Sequence, residues 1–303
     1  MGLKDSPLVP YNQKLVAILD DQEKADMLYN DLPDSKGGKV IGTDIARELL
    51  PEYAASREGK IELTNATIRG AKEYARDRLW REIENRNGRE KLMFTAGGVA
   101  AGKSTVVTDE LVGIHDLVFD GTLRETEWAI KTIDKALEKG WDVTINYIQR
   151  PIDLVIQGVI DRAQTGGRWG PISPLPDIHK SAQKSILEIS KHFKGNQAVD
   201  IKLWFNGGES RTTPPKQISF QDIDKNGQYS YDFNHDSREE EATKRSERQS
   251  DLERFRTESR QSVVTRFTAA VESGSYSREI LTRLAQGDAE LEGILKNSSK
   301  GQK

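Results

Sequence analysis

Residues 91 to 104 read Lys-Leu-Met-Phe-Thr-Ala-Gly-Gly-Val-Ala-Ala-Gly-Lys-Ser, an apolar run followed by a glycine-rich loop. The run from Lys91 to Thr95 is short enough to be a buried strand, and a helix can begin at Lys103 or Ser104. The loop between them has the form G-x-x-x-x-G-K-[ST], which cradles nucleotide phosphates when it joins a strand to a helix. The sequence therefore predicts a nucleotide-binding site at this loop.

The chemistry of such a loop follows from its backbone. Glycines allow the chain to curl so that successive N–H groups point inward at phosphate oxygens, and the helix N-terminus adds partial positive charge. We expect Lys103 to reach the β- and γ-phosphates of ATP and the Ser104 hydroxyl to ligate Mg²⁺. The predicted nucleotide-binding residues are, in chain order, Gly97, Gly98, Val99, Ala100, Ala101, Gly102, Lys103, Ser104 and Thr105.

The composition restricts the class of protein. The chain has 303 residues, of which 35% are hydrophobic and 31% charged, with a net charge of −3 and no cysteine. This charge balance predicts neither a nucleic-acid partner nor a membrane-surface partner, and the lack of cysteine excludes disulfides and thiolate metal sites. Because no apolar run approaches a membrane span and the N-terminus lacks a hydrophobic signal region, we expect a soluble cytoplasmic protein. Export as an effector is left open.

Strands and helices alternate through the middle of the chain. Further apolar runs predict strands at 117–119, 143–148 and 201–205, and amphipathic patterns predict helices at 125–139, 153–162 and 177–194. This alternation indicates a P-loop NTPase-like α/β fold, with a doubly wound parallel sheet. Ligands bind such sheets beyond the carboxyl ends of the strands, where Gly97, Asp120, Arg150 and Asn206 lie.

The sequence divides into three regions. Residues 1–88 are predicted to form a helical N-terminal region, with a long helix capped by Thr64 or Asn65. Residues 89–210 are predicted to form the P-loop core. Residues 211–303 are predicted to form a hairpin and a charged helical C-terminal region. In the last region, residues 217–233 are predicted to form a β-hairpin with its turn at Asp224-Lys225-Asn226-Gly227. The charged helical stretch that follows is typical of a solvated surface, with docking on the core as the alternative.

One segment of the core resembles a known family. Residues 117–124 read Leu-Val-Phe-Asp-Gly-Thr-Leu-Arg, which resembles the strand-EGT-Leu/Gly-Arg segment of zeta toxins. The continuation is similar too: it runs through Ile160-Asp161-Arg162, Gly167-Arg168, Pro176 and His179, and a strand ending at Phe205-Asn206. The resemblance covers roughly residues 90–210.

The resemblance implies a function. Zeta toxins are P-loop kinases that use ATP and Mg²⁺, and most studied members phosphorylate the 3′-hydroxyl of UDP-N-acetylglucosamine. A plant-pathogen effector with the same kind of fold phosphorylates NAD instead. For this chain the resemblance implies a toxin or effector that phosphorylates a hydroxyl of a nucleotide-containing small molecule. It also implies an antitoxin or inhibitor protein as a partner.

The resemblance also implies roles for particular residues. Lys103 and Ser104 match the residues that bind phosphate and Mg²⁺. Asp120, where the family has Glu, ends an apolar strand, a position from which a carboxylate can hold Mg²⁺ through water or accept a proton from an attacking hydroxyl. Arg162 and Arg168 resemble the arginines that grip the ATP phosphates. The implied substrate-binding residues are Arg47, Thr122 and Arg124.

The order of segments departs from that of the family. Zeta toxins place a strand with a catalytic Asp and a long helix between the P-loop helix and the EGT strand, and the chain between Ser104 and Asp120 is too short for that unit. Residues 40–53, Val-Ile-Gly-Thr-Asp-Ile-Ala-Arg-Glu-Leu-Leu-Pro-Glu-Tyr, read like the missing unit but lie upstream of the P-loop. Either this segment packs back into the site, with Asp44 as base and Arg47 on the substrate, or Asp120 handles the proton. The sequence leaves both alternatives open.

Two rival functions fit the P-loop. A P-loop ATPase or switch protein would signal its nucleotide state to a partner through the charged C-terminal helices. A binding module without turnover would bind ATP and transfer nothing. Only the kinase needs the arginines together with an acceptor pocket.

Overall fold

The computed structural model describes residues 9–86, 88–208, 213–224 and 242–298. Within these residues the strands are β1 (Val40–Gly42), β2 (Lys91–Ala96), β3 (Leu117–Asp120), β4 (Asp142–Gln149), β5 (Val199–Phe205) and β6 (Lys216–Ile218). They form one mixed sheet in the order β1-β3-β2-β4-β5-β6, with all neighbouring pairs parallel except β5 and β6. The predicted α/β fold class and all four predicted core strands are confirmed.

Helices cover both faces of the sheet. Those before and within the core are α1 (Val9–Asp20), α2 (Gln22–Asn30), α3 (Thr43–Arg47), α4 (Pro51–Ala54), α5 (Arg57–Asn85), α6 (Lys103–Val106), α7 (Asp109–Gly113), α8 (Thr126–Glu138), α9 (Ile152–Gly166) and α10 (Leu175–His192). Those after the core are α11 (Phe220–Asp224), α12 (Ala242–Ser273), α13 (Arg278–Leu284) and α14 (Ala289–Ser298). Among the described helices, none is both long and apolar enough to cross a lipid bilayer.

The apolar character of β2 explains its central position. Strands of a parallel sheet are buried on both faces, so they read as continuous hydrophobic runs. In β2, Leu92 and Phe94 pack on one face in the cluster that α5, α8 and α10 complete, whereas Met93 packs on the other face with Val118 and Val112. This packing holds the end of β2, and therefore the P-loop, in the middle of the sheet.

The N-terminal region contributes a strand as well as helices. β1 pairs in parallel with β3, so that Gly42 lies opposite Asp120. The region is therefore not purely helical, and the sheet extends across the expected boundary at residue 88. The long helix also begins earlier than predicted, because the Ser56 hydroxyl accepts a hydrogen bond from the Gly59 N–H at 3.0 Å and caps α5 ahead of Thr64 and Asn65.

The C-terminal region docks on the core. Val263 and Phe267 of α12 are buried in one cluster with residues of α9, α13 and α14, so this part of the charged stretch is not a solvated surface. For residues 257–273 the alternative of a docked helix is the one that the structure shows, whereas residues 236–241 of the charged run lie outside the described residues. The first arm of the predicted hairpin is instead β6 followed by helix α11, and its turn and second arm lie outside the described residues.

Candidate active site

The P-loop is held by its carbonyl oxygens. Three side chains donate hydrogen bonds to three successive carbonyls: His179 Nε2 to Val99 at 2.8 Å, Arg150 Nη1 to Ala100 at 3.2 Å, and Asn206 Nδ2 to Ala101 at 3.0 Å. These side chains come from the ends of β4 and β5 and from α10, so the scaffold fixes the loop from behind. Sequence reasoning placed Arg150 and Asn206 at the strand ends but did not assign them this role.

The conformation of the loop suits an anion. Gly97 and Gly102 have φ of 118° and 86°, which favour glycine, and Ala100 also has a positive φ of 56°. Because the carbonyls face the scaffold, the N–H groups are free to turn the other way. Among the described residues, those of Gly98, Val99, Ala100 and Gly102 meet no acceptor. Such a curl of backbone donors fits a polyphosphate.

One cavity of about 370 Å³ opens beside the loop. Its lining contains ten of the residues predicted for the site: Asp44, Arg47, Val99, Ala100, Lys103, Asp120, Thr122, Arg124, Arg162 and Arg168. Gly97, Gly98, Ala101, Gly102, Ser104 and Thr105 are not part of the lining. The Thr105 hydroxyl turns back to the Gly102 carbonyl, and a Cβ on Gly98 would meet the His179 ring, so both positions serve the shape of the loop.

Asp44 is the centre of a charge cluster in this cavity. Asp44 is in the first turn of α3, which begins directly after Gly42, the last residue of β1. Because β1 pairs with β3, Asp44 lies near the carboxyl end of β3. Its carboxylate accepts from Arg47 Nη1 at 2.6 Å, Arg162 Nη2 at 2.7 Å and Arg168 Nη1 at 3.3 Å. Burial alone would raise the pKa of Asp44, but the charges of the three arginines outweigh it and hold the pKa at about 2. The upstream segment thus lies in the site, as in the first of the two sequence alternatives.

Asp120 has a different setting. It ends β3, directly beside the P-loop strand, and its Oδ1 accepts a hydrogen bond of 2.6 Å from the Thr95 hydroxyl. A carboxylate next to the P-loop is where P-loop enzymes hold Mg²⁺. Among the described residues no group of three or more His, Asp or Glu side chains could hold a metal ion, so Mg²⁺ here would need phosphate and water oxygens. Asp120 lines the cavity, whereas Ser104 does not.

One part of the cavity lining is aromatic and cationic. The Arg76 guanidinium stacks 4.2 Å from the centroid of the Trp128 ring, and Trp128 contacts Phe119 with ring centroids 5.3 Å apart. Glu125 forms ion pairs with both Lys72 and Arg76. Sequence reasoning missed these residues as site residues. The signal available was the spacing of Lys72 and Arg76, which puts two cations one turn apart on a helix.

His179 is buried and holds the loop as a neutral donor. The Val99 carbonyl can only accept, so the proton is on Nε2, and burial lowers the pKa of His179 to about 4 against the opposing effect of that hydrogen bond. These contacts indicate a structural role. They do not suit a general base.

A pH dependence of stability follows from His179. Its pKa in the folded state lies below the unfolded value of 6.5, so the unfolded chain takes up a proton first as the pH falls. We expect the free energy of unfolding to lose up to about 3 kcal/mol from this group between pH 6.5 and pH 4. Urea unfolding of the wild type and of His179→Gln checks this. The variant should show a shallower pH slope, and equal slopes would contradict the prediction.

Comparisons with known proteins find a family similarity for part of the chain. A model of the zeta toxin family matches residues 113–229. This part of the chain is therefore similar to zeta toxins. The match begins after the P-loop, which ends at Ser104. Among curated protein sequences none matches the chain.

Two solved structures are distantly similar to this chain. One is AvrRxo1-ORF1:AvrRxo1-ORF2 with sulphate ions, with a TM-score of 0.37, 13% identity, and 55% of this chain and 67% of that chain covered. The other is the native AvrRxo1-ORF1:-ORF2 complex, with a TM-score of 0.38, 13% identity, and coverages of 57% and 66%.

Proposed function

We propose that this protein is an ATP- and Mg²⁺-dependent kinase that transfers the γ-phosphoryl group of ATP to a hydroxyl of a nucleotide-containing small molecule. UDP-N-acetylglucosamine and NAD are the acceptor types that we favour. The observation that carries the proposal is the convergence of Lys103, Asp44, Arg162 and Arg168 on one cavity, although they come from three separate parts of the chain.

The site residues have three proposed roles: charge stabilisation, Mg²⁺ binding and transfer of the acceptor proton. Lys103, Arg162 and Arg168 stabilise the negative charge that develops on the transferred group. Mg²⁺ held by Ser104 and Asp120 supplies further charge neutralisation when bound. Asp44 orients the acceptor hydroxyl and takes its proton. While no phosphate is present, Arg162 and Arg168 bind Asp44; a triphosphate competes for both arginines and so releases the carboxylate.

The cavity lining supports an anionic acceptor with a ring. Among the described residues that line it, seven are lysine or arginine and three are carboxylates. Trp128, which is partly exposed in the lining, offers a stacking surface, and Lys72 and Arg76, which pair with Glu125, are proposed to donate to phosphate. Arg47, Thr122 and Arg124 also line the cavity and are proposed to bind the same acceptor.

A transfer assay with Lys103→Ala tests the proposal. The protein is incubated with ATP labelled in the γ-phosphate and with separate pools of UDP-sugars, NAD and nucleosides. We expect label in one acceptor pool, and we expect Lys103→Ala to lower kcat by at least about 100-fold, because a charge that stabilises the transition state is lost. Lys139→Ala is a matched control on an exposed lysine outside the cavity.

Other outcomes distinguish the alternatives. Label released only as free phosphate would support the P-loop ATPase or switch protein, in which the C-terminal helices report nucleotide state. ATP binding with no turnover would support a binding module. Either result would overturn the kinase proposal.

We further propose that the protein acts as a toxin or effector on a small molecule in the cytoplasm, with an antitoxin or inhibitor protein as its partner. The zeta toxin match supports this role. Expression in a bacterial host should slow growth, and Lys103→Ala should relieve the effect. Equal growth inhibition by both forms would remove the toxin assignment.

A further inference from the structure

Helices α12 and α13, together with the turn before α14, contact the segments that carry the cavity arginines. We call residues 167–174, which join α9 to α10 and include Arg168, the arginine loop. α9 itself carries Arg162 toward the cavity. Asp153, Gln157 and Asp161 are spaced by four residues and therefore lie on one side of this helix.

Tyr276 joins this surface of α9 to the C-terminal helices. Its hydroxyl donates a hydrogen bond of 2.6 Å to Asp161 Oδ1 and accepts one of 2.9 Å from Gln157 Nε2. Arg266 also pairs with Asp153 at 2.9 Å. Asp161 is the residue next to Arg162, so the anchoring of its side chain restrains the backbone from which Arg162 extends.

Asp288 anchors the arginine loop in the same way. It accepts a hydrogen bond from the Ser173 hydroxyl and is held in a two-pronged pair with Arg260, at 2.5 and 2.8 Å. The hydrogen bond from Arg260 is the main reason that the pKa of Asp288 lies well below its usual range. The backbone of the loop is tied to α13 as well, since the Ile172 N–H donates to the Leu284 carbonyl at 3.2 Å.

We propose that Tyr276 and Asp288 are positioning residues, which hold Arg162 and Arg168 in place for the phosphates of ATP. The proposal rests on the proposed function for the identity of the ligand. A guanidinium that is already aimed loses less conformational freedom when it binds phosphate, so correct placement before binding raises affinity. Residues 257–298 are then a working part of the nucleotide site and more than a stabilising addition.

Tyr276→Phe removes the hydroxyl and leaves the ring. In the full-length chain we expect the Kd and KM for ATP to rise about 10-fold, which corresponds to about 1.4 kcal/mol. The KM for the acceptor should stay the same. Asp288→Asn should act in the same direction. Thr282→Ala is the matched control, because it also removes a hydroxyl from these helices, one that only bonds within its own helix.

A double-mutant cycle separates positioning from simple stabilisation. If Tyr276 acts through Arg162, Tyr276→Phe should change ATP affinity much less in an Arg162→Ala background than in the wild type. Calorimetric titration with ATP measures both affinities, and thermal unfolding of each variant measures stability. A lowered Tm with unchanged ATP affinity, or an effect of the same size in both backgrounds, would overturn the proposal.

The proposed function can fail separately. If ATP binds and Tyr276→Phe weakens it through Arg162, but no acceptor is labelled, then the positioning role stands and the kinase proposal fails. If an acceptor is labelled and ATP affinity is indifferent to both substitutions, the positioning role fails alone. A chain that binds no ATP would overturn both.

Discussion

Asp44→Asn should lower kcat for phosphoryl transfer by about 10²–10⁴-fold, the range lost when a positioned base is removed. The KM for ATP should stay the same or fall, because the amide no longer competes for Arg162 and Arg168. The opposite changes in kcat and affinity distinguish this substitution from general damage to the site. Steady-state kinetics with ATP and the labelled acceptor measure both quantities.

The matched comparison is Asp120→Asn. If Asp120 holds Mg²⁺, its variant should need more Mg²⁺ for half-maximal activity and should recover in part when Mg²⁺ is raised. Asp44→Asn should not recover. The roles assigned to the two carboxylates would be reversed if only Asp44→Asn responded to the metal concentration.

Gly97→Ala should destabilise the fold and remove nucleotide binding. A Cβ at this position would lie 2.4 Å from the Ile148 carbonyl oxygen, a backbone atom that cannot rotate away. The φ of 118° also disfavours any residue with a Cβ. Together, strain and overpacking predict a loss of about 3 kcal/mol or more in the free energy of unfolding.

Urea unfolding and ATP titration test this result. Gly113→Ala is the control, because a Cβ there meets no atom within 4 Å and the residue ends the short helix α7. We expect that control to change stability little. Equal stability of Gly97→Ala and the wild type would mean that the loop is not held against β4 as described.

The core strands could be predicted from the sequence because each depends on a short run of neighbouring residues. The apolar runs at 117–119, 143–148 and 201–205 are too short for helices and are bounded by turn residues, which is typical of buried parallel strands. The P-loop could be predicted for a related reason, because its function depends on a fixed spacing of glycines, Lys103 and Ser104 along the chain. Boundaries were less accurate: α5 begins at Arg57 because Ser56 provides the cap, and nothing in the apolar spacing from Ile68 onward points to that residue.

The C-terminal stretch shows where composition misleads. A helix rich in charge is usually solvated, yet Val263 and Phe267 need only a narrow apolar stripe to pack against α9. Arg266 forms an ion pair with Asp153, and Arg260 forms an ion pair with Asp288. Composition counts charges, but it cannot say which of them have a partner across the fold.

The sequence alone predicted a phosphate-binding loop and a parallel α/β sheet, because the loop and each strand are determined by short runs of neighbouring residues. Which upstream residues enter the site was decided by tertiary structure. Val40–Gly42 pairs with β3, more than seventy residues further along, and this pairing brings Asp44 to Arg162 and Arg168. Backbone hydrogen bonds between distant strands depend on which edge of the finished sheet is open, and no local pattern encodes that edge.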